Sequence, residues 1–162
     1  MDRYLFHDGA GRFARSGHRH GDGYHLDTNV DASLCWLLLL AVRTPGDART
    51  RATIEAVRTH LAVGEGIARY QGDPFLRAVD DDDDVPGNPW LLCTLAVAEC
   101  ETLLGEREAA LRRIRWVLDH ARPSGALPEQ IHPRTGAPIG TCPLTWSHAM
   151  VISATARLAE TP

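Results

Sequence analysis

The strongest constraint on the fold is an alternation of two kinds of predicted helix along the chain. Residues 30–42 and 88–105 are apolar on nearly every helical face, which is typical of helices that are buried all round. Residues 48–62 and 106–121 carry one apolar stripe and one charged face, which is typical of helices with one side in water. A last helix of mixed character is predicted over residues 143–160. Because the links from a buried to an amphipathic helix are short, each such couple should form an antiparallel pair.

Turn and cap residues mark the ends of these predicted helices. Asn88 is a good N-cap, Pro89 suits the first helical position, and Gly105 can end the helix that they begin. The predicted apolar stripes of the two amphipathic helices are Ile54, Val57 and Leu61 in the first and Leu111, Ile114, Leu118 and Ala121 in the second. In the second helix the arginines lie opposite the stripe, so each helix should bury one side only.

The links that lead from an amphipathic helix to the next buried one are long and rich in turn residues. They cover residues 63–87 and 122–142. Stacked antiparallel pairs would place both links at the same end of the bundle, together with residues 1–29. This N-terminal segment lacks a regular period and is interpreted as irregular structure or a broken strand pair. Inner helices surrounded by outer ones predict an all-α toroid, or part of one, over residues 30–162.

Composition and charge narrow the class of protein. The net charge is −4, which argues against a nucleic-acid surface, and all 17 basic residues are arginines. The longest apolar run, residues 34–42, is too short to span a bilayer, and the first residues contain no apolar leader segment. The four cysteines lack CxxC spacing and mostly lie in apolar settings. These features predict a reduced, cytoplasmic protein that binds neither membranes nor nucleic acid.

The second long link holds the first candidate for catalysis. Glu129 and Gln130 lie between Pro128 and Pro133, which restrict the backbone on both sides. A stiff loop keeps a side chain in place, as a catalytic base requires. The alternative is an ordinary solvated loop glutamate, which is the commoner case.

The first long link contains charged and aromatic residues close to one another. Arg69, Tyr70 and Asp73 are close in sequence. An arginine can donate to neighbouring hydroxyls or to a carboxylate, and a tyrosine can stack on a sugar ring. The alternative is a structural salt bridge that holds the link.

Two tryptophans are predicted near the end of the bundle where the long links lie. Trp90 lies in the first turn of a buried helix, and Trp146 has the same place in the last helix, two residues before His148. Indole rings at such a rim can pack on the apolar face of a sugar. The alternative is that both are core residues.

Two further segments contain possible metal ligands. The five aspartates of residues 80–84 could bind a cation, although they lack EF-hand spacing and a solvated charge run is the simpler interpretation. The histidines of residues 18–25 match no zinc pattern. No phosphate-binding loop, dinucleotide fingerprint or nucleophile elbow occurs, so neither a metal nor another cofactor is predicted.

Several motifs resemble the C-terminal half of bacterial glucoamylase-like glycosidases, the family-fifteen glycoside hydrolases, which include glucoamylase, glucodextranase and some trehalases. "VDASL", "RYQGDPF", "GNPW", "LPEQ" and "PLTWSHA" occur in the order of that family between residues 30 and 158. The resemblance implies a partial (α/α)6 toroid of about five helices. It also implies hydrolysis of terminal α-glucosidic bonds with inversion, by one carboxyl group that protonates the leaving oxygen and a second that activates water.

The resemblance also implies roles for individual residues. Glu129 of "LPEQ" would be the general base, and Arg69 and Trp90 would line the glucose pocket. The remaining predicted substrate-binding residues are Tyr70, Gln130, Trp146 and His148. The predicted ligand is an oligosaccharide or disaccharide.

The family's general acid follows a tryptophan in a "WE" motif, and no such pair occurs in this sequence. Glu65 is the nearest internal candidate, but no motif supports it. We therefore expect a fragment that pairs with its missing N-terminal half or with itself, because half a toroid exposes apolar helix flanks. Three hypotheses follow: part of an inverting glycosidase, a non-catalytic carbohydrate-binding remnant, or a remnant without function.

Overall fold

The computed structural model describes residues 2–21, 23–79 and 85–161. In this part of the chain the α-helices are α1 (Asp2–Leu5), α2 (Trp36–Leu39), α3 (Ala48–His60), α4 (Leu91–Leu103), α5 (Arg107–Asp119) and α6 (Thr145–Glu160). The strands are β1 (Phe6–His7), β2 (Arg12–Phe13), β3 (Ser16–His20), β4 (Gly23–Asp27), β5 (Ala62–Val63), β6 (Gly66–Ile67), β7 (Gln130–Ile131) and β8 (Pro138–Ile139). Consecutive strands pair as antiparallel hairpins, and short 3₁₀ turns cover Asp8–Ala10 and Ala32–Cys35. The described chain is mostly helical, as predicted.

Helix α4 is the centre of the bundle and packs against α2, α3, α5 and α6. Its side chains are buried on nearly all faces, including Leu95, Val97 and Cys100 at 0% exposure, which confirms the predicted burial all round. Gly105, at φ +82°, follows the helix end as predicted.

The predicted cap of α4 is wrong. The N-cap is Trp90, with no side-chain capping bond, instead of Asn88. The backbone of the long links takes over this function, because the Leu91 N–H donates to the Glu129 carbonyl (3.1 Å). Asn88 is therefore free to bond elsewhere.

The helix predicted over residues 30–42 is much shorter. The side chain of Asp31 caps its 3₁₀ turn by accepting from the Ser33 N–H (2.8 Å). Ala41 adopts a left-handed φ of 53°, so α2 stops at Leu39. Leu40 and Val42 follow at 67% and 51% exposure, so the prediction of a helix buried all round is wrong here.

Helix α3 buries the predicted stripe, with Ile54, Val57 and the following Leu61 at 0% exposure. The N-terminal segment packs on this helix as hairpins, which is the strand alternative of the prediction. Phe13 is 1% exposed, and its N–H donates to Thr53 Oγ1 (3.1 Å). The division of the chain at residue 30 stays a prediction.

Helix α5 buries the predicted stripe only in part, because Ile114 is buried and Leu111 and Ala121 pack against the core, but Leu118 does not. Ala110, Ile114 and Val117 are buried, whereas Leu118 is 48% exposed. The arginines do not all face solvent, because Arg113 is buried against α4 by an ion pair described below. Val117 is therefore buried in place of Leu118, on the side of the helix where Arg113 meets Glu101. None of the helices in the described ranges is long and apolar enough to cross a bilayer.

A buried ionic cluster joins α3, α4 and α5. Glu101 is fully buried and accepts from Arg113 Nε (2.9 Å), and Arg58 Nε lies 3.3 Å from the same oxygen. Desolvation is the largest influence on this carboxyl and raises the pKa of Glu101 despite the two arginines. The ionised form is thus less favoured in the folded than in the unfolded protein.

This raised pKa predicts a pH-dependent contribution to stability. The free-energy penalty for ionised Glu101 is complete at pH values above the pKa of this carboxyl in the folded protein. It disappears as pH falls towards 4.5, the ordinary pKa of a glutamate. The wild type should therefore gain free energy of unfolding relative to Glu101→Gln as pH falls through that window. Urea denaturation of both proteins between pH 8 and 5 measures the difference, and other carboxyls cancel because they are common to both. Parallel curves for the two proteins would contradict the prediction.

Candidate active site

The two long links meet at one end of the bundle, as predicted. Isolated β-bridges join Asp31 to Tyr70, Ala68 to Pro89, and Trp90 to Gln130. The first bridge connects the start of α2 to the first link, and the third connects the start of α4 to the second link. This end of the bundle therefore has a continuous backbone framework that positions the side chains around it.

Glu129 is held mainly through its peptide groups. Its N–H donates to the Thr141 carbonyl (2.9 Å) and its carbonyl accepts from the Leu91 N–H (3.1 Å). The half-buried carboxylate accepts one hydrogen bond through Oε2, from Gln130 Nε2 (3.2 Å). A half-buried acid on a fixed backbone differs from the alternative of a freely solvated loop glutamate.

The Glu129 side chain lies directly over Gly140. A Cβ atom at Gly140 would lie 2.2 Å from Glu129 Oε2, well inside contact distance. Gly140 also has φ +76°, so two independent reasons require glycine there. The turn before Thr141 is thus shaped around the carboxylate.

The N-terminal part of the same link is fixed to α6. Ser147 Oγ is buried and donates to the Pro128 carbonyl (2.9 Å). His148 Nε2 accepts from the Leu127 N–H (3.0 Å). Because that peptide group can only donate, Nε2 is unprotonated and a neutral His148 carries its proton on Nδ1. His148 supports the loop in this structure, and its predicted substrate contact stays a prediction.

Arg69 forms the salt bridge that the sequence offered as its structural alternative. Its Nε and one terminal nitrogen donate to the two oxygens of Asp73, both at 2.7 Å. These hydrogen bonds raise the pKa of Arg69, so the guanidinium keeps its charge. The Asp73 side chain is 3% exposed but that of Arg69 is 34% exposed. Arg69 is therefore both anchored and open to a ligand.

Aromatic rings surround the Arg69 guanidinium. Its central carbon lies 4.5 Å from the Trp90 ring centroid, 5.0 Å from that of Tyr70 and 5.4 Å from that of Phe75. Trp90 is only 7% exposed, which agrees with the core alternative, whereas Trp146 is 57% exposed. Of the two tryptophans, Trp146 has the larger surface available for packing on a sugar.

A cavity of about 400 Å³ opens beside these side chains. Four predicted site residues line it, namely Arg69, Tyr70, Trp90 and Trp146. The other lining residues are Asp31, Ala32, Ser33, Trp36, Leu92, Cys93 and Ala96. Burial raises the pKa of the Cys93 thiol, so it remains protonated and is a poor nucleophile. The cavity is lined by both apolar and polar side chains, which is typical of a site for a small organic ligand.

The other predicted site residues lie outside this lining. Glu129, Gln130 and His148 belong to the neighbouring loop framework, which the Trp90–Gln130 bridge joins to the cavity. Gln130 is fully buried. In this conformation the Gln130 amide does not reach a substrate directly. Its predicted part in substrate binding stays a prediction.

Sequence reasoning missed several residues of this end of the bundle. Trp36 lines the cavity, but it lay in an apolar run that suggested only core. Asp31 and Ser33 also line it, and their one signal was membership of the "VDASL" motif. Phe75, with its ring centroid 5.9 Å from that of Trp90, was marked only by its place at the end of the "RYQGDPF" motif.

Among the described residues, the remaining acidic and histidine candidates do not form a second centre. Glu65 lies 3.4 Å from Arg112 and does not line the cavity. The aspartates of residues 80–84 lie outside the described residues. His18 pairs with His25 across the β3–β4 hairpin, yet the described residues contain no group of three or more metal-ligating side chains.

The contact between Gly140 and Glu129 gives a matched test. Gly140→Ala and Gly125→Ala both place a side chain at positive φ, which should lower the free energy of unfolding by roughly 1–2 kcal/mol in each case. Only the change at Gly140 should also displace the Glu129 carboxylate, because Gly125 has open space around its Cβ position. Urea denaturation and crystal structures of the variants measure both effects. An unmoved Glu129 in Gly140→Ala would contradict this geometry.

Comparisons with known proteins agree on one group. Residues 105–156 match the model of the glycosyl hydrolases family 15. An isomaltose glucohydrolase of Kribbella flavida is 31% identical over 135 residues, which cover 76% of this chain and 33% of that protein. A trehalase of Mycobacterium tuberculosis is 28% identical over 130 residues, which cover 79% of this chain and 18% of that protein.

Structural similarity extends over the whole described chain. A bacterial glucoamylase complexed with acarbose superposes with a TM-score of 0.79 at 20% identity, covering 99% of this chain and 27% of that one. At this identity the likeness concerns the fold. The chain spans a third or less of the length of each of these three proteins.

Proposed function

Because the chain carries part of a glucoamylase-like domain of the glycosyl hydrolases family 15, we propose that it forms one side of an inverting glycosidase site for terminal α-glucosidic bonds. In this proposal the described helices are the C-terminal part of an (α/α)6 toroid. The observation that supports it best is the half-buried Glu129 carboxylate, held over Gly140 on a loop that is bonded to the start of α4.

Glu129 would act as the general base. An inverting mechanism needs a carboxylate that takes a proton from water while the water attacks the anomeric carbon. Glu129 suits this task because its backbone is fixed on both sides and only one of its oxygens has a hydrogen-bond partner in the described chain. The proton that it accepts comes from the attacking water, and the leaving oxygen receives its proton from the general acid.

The general acid would come from outside the described residues. The two carboxylates around the cavity are already engaged in the described chain. Asp73 binds Arg69, and Asp31 lies 3.5 Å from Arg15 and accepts from the Ser33 N–H. An acid must carry a proton and reach the leaving oxygen. Neither aspartate meets both needs, so the complete site requires another part of the protein or a second chain.

The cavity side chains suit a glucoside. An arginine fixed by Asp73 can donate to sugar hydroxyls, while the rings of Tyr70 and Trp146 can pack on apolar sugar faces. Relatives named for trehalose and isomaltose and a fold neighbour that binds acarbose support an α-glucosidic oligosaccharide or disaccharide. No metal or other cofactor takes part in this proposal.

Exposed apolar residues support a partner for this side of the toroid. Leu40, Val42 and Ile152 are each more than half exposed. We propose that the remaining toroid helices cover them, or else a second copy of the chain. A cytoplasmic location belongs to the same proposal, since the free cysteines suit a reducing compartment.

The assignment of Glu129 is tested by glucose release from maltose, isomaltose, trehalose and soluble starch. The chain is assayed alone and together with the remaining part of the glycosidase. Only the combination should be active, and Glu129→Gln should lower its kcat by roughly 10²–10⁴-fold. Glu65→Gln is the control and should keep the activity, because Glu65 does not line the cavity and its carboxylate is paired with Arg112 of α5. Full activity of Glu129→Gln would exclude it as the base, and NMR of the first anomer released tests inversion.

A non-catalytic carbohydrate-binding role is the second candidate, since the cavity is formed without the acid. Calorimetry of the chain with maltose and acarbose should then give binding heat, and Trp146→Ala should weaken binding by roughly tenfold, as for one lost stacking contact. Ile152→Ala is the matched control, an exposed residue of α6 outside the cavity lining. No heat with the wild-type chain would remove this role.

A further inference from the structure

We propose that Asn88 is a positioning residue that orients the Glu129 carboxylate through Gln130. The inference rests on the proposed role of Glu129 and adds the residues that give its side chain a direction. Asn88 was expected to cap a helix, but it lies instead in a buried chain of hydrogen bonds that ends at the carboxylate.

The orientation of the Asn88 amide is determined by backbone groups. The Ala78 N–H donates to Asn88 Oδ1 (3.1 Å), and Asn88 Nδ2 donates to the Leu76 carbonyl (2.7 Å). A peptide N–H can only donate and a carbonyl can only accept. Turning the amide over would therefore break both bonds. Asn88 is 3% exposed, so water cannot readily replace them.

The orientation of Asn88 in turn determines that of Gln130. The second hydrogen of Asn88 Nδ2 is donated to Gln130 Oε1 (2.9 Å). With its oxygen used in this way, the fully buried Gln130 must direct Nε2 at Glu129 Oε2 (3.2 Å). The opposite amide orientation would place two NH₂ groups together at Asn88 and two oxygens together at Glu129, and neither contact is favourable in a buried site.

This chain leaves the two oxygens of Glu129 in different environments. Oε2 receives the Gln130 hydrogen bond and lies over Gly140. Oε1 has no hydrogen-bond partner in the described part of the protein, so it is the oxygen available to accept from water. The turn at residues 76–78 thus sets, through two amides, which oxygen of the base faces the reaction.

Asn88→Asp is the sharpest change, because it keeps the size of the side chain and the bond from Ala78 but removes the donor. Gln130 should then turn its amide to donate to the new carboxylate and should withdraw its hydrogen bond from Glu129. NMR of the chain measures this through the side-chain NH₂ signals of Gln130 and the carboxyl carbon signal of Glu129. Both signals should move in Asn88→Asp.

Gln130→Met provides the matched background. If Asn88 acts through Gln130, Asn88→Asp should leave the Glu129 signal unchanged when Met occupies position 130. An equal movement of that signal in both backgrounds, or no movement in either, would overturn the proposal. If the buried variants do not fold, Glu129→Gln provides a further test, because it changes only a half-buried side chain. Unchanged Gln130 NH₂ signals in this variant would also overturn the proposal.

Kinetics of the complete glycosidase separate this inference from the function itself. Asn88→Asp should lower kcat by roughly 10–10²-fold with little change in KM, as expected for a misplaced base. It should cause no further loss in a Glu129→Gln background. If Glu129 is not the base, the NMR coupling remains while these kinetic effects are absent. If the NMR coupling is absent but Glu129→Gln is inactive, the function stands and the role of Asn88 is wrong.

Discussion

The end of the bundle that holds Glu129 depends on how the first residues of α4 are bonded. The Trp90 N–H donates to the Ile67 carbonyl (2.8 Å), the Leu91 N–H donates to the Glu129 carbonyl (3.1 Å), and the Pro89 carbonyl accepts from the Ile131 N–H (2.9 Å). A helix start has N–H groups that need partners, and here two long links provide them in place of a capping side chain. The most buried helix of the bundle is thereby bonded directly to both links.

This arrangement fixes the backbone around Glu129 on a bundle that leaves several apolar side chains exposed. The loops around Glu129 have peptide groups bonded to α4 and α6, whereas Leu40, Val42 and Ile152 remain exposed. Burial of apolar surface would stabilise a complex in which further helices cover these residues. The same covering would bring a second carboxyl group towards the cavity. The stability of the bundle and the proposed catalysis would then both depend on association with those helices.

Much of the helical framework could be predicted from apolar periodicity. The burial of α3 and α4 could be predicted because each helix packs into the core on the sides where its sequence is apolar. The prediction failed where a single contact overrides the pattern. Arg113 of α5 is buried in an ion pair with Glu101, and the left-handed turn at Ala41 follows the end of α2. Neither event leaves a periodic signal in the sequence.

The sequence by itself determined the buried helix α4, the long links on either side of it and the motif that singles out Glu129. Only the tertiary structure decided what surrounds that carboxylate. Asn88 looked like a helix cap, and Gln130 looked like a ligand contact. Both are buried amides, and the hydrogen bond between them joins residues that lie 42 positions apart along the chain. Hydrogen bonds between such distant residues depend on how the chain folds back on itself, and local propensity and spacing carry no information about them.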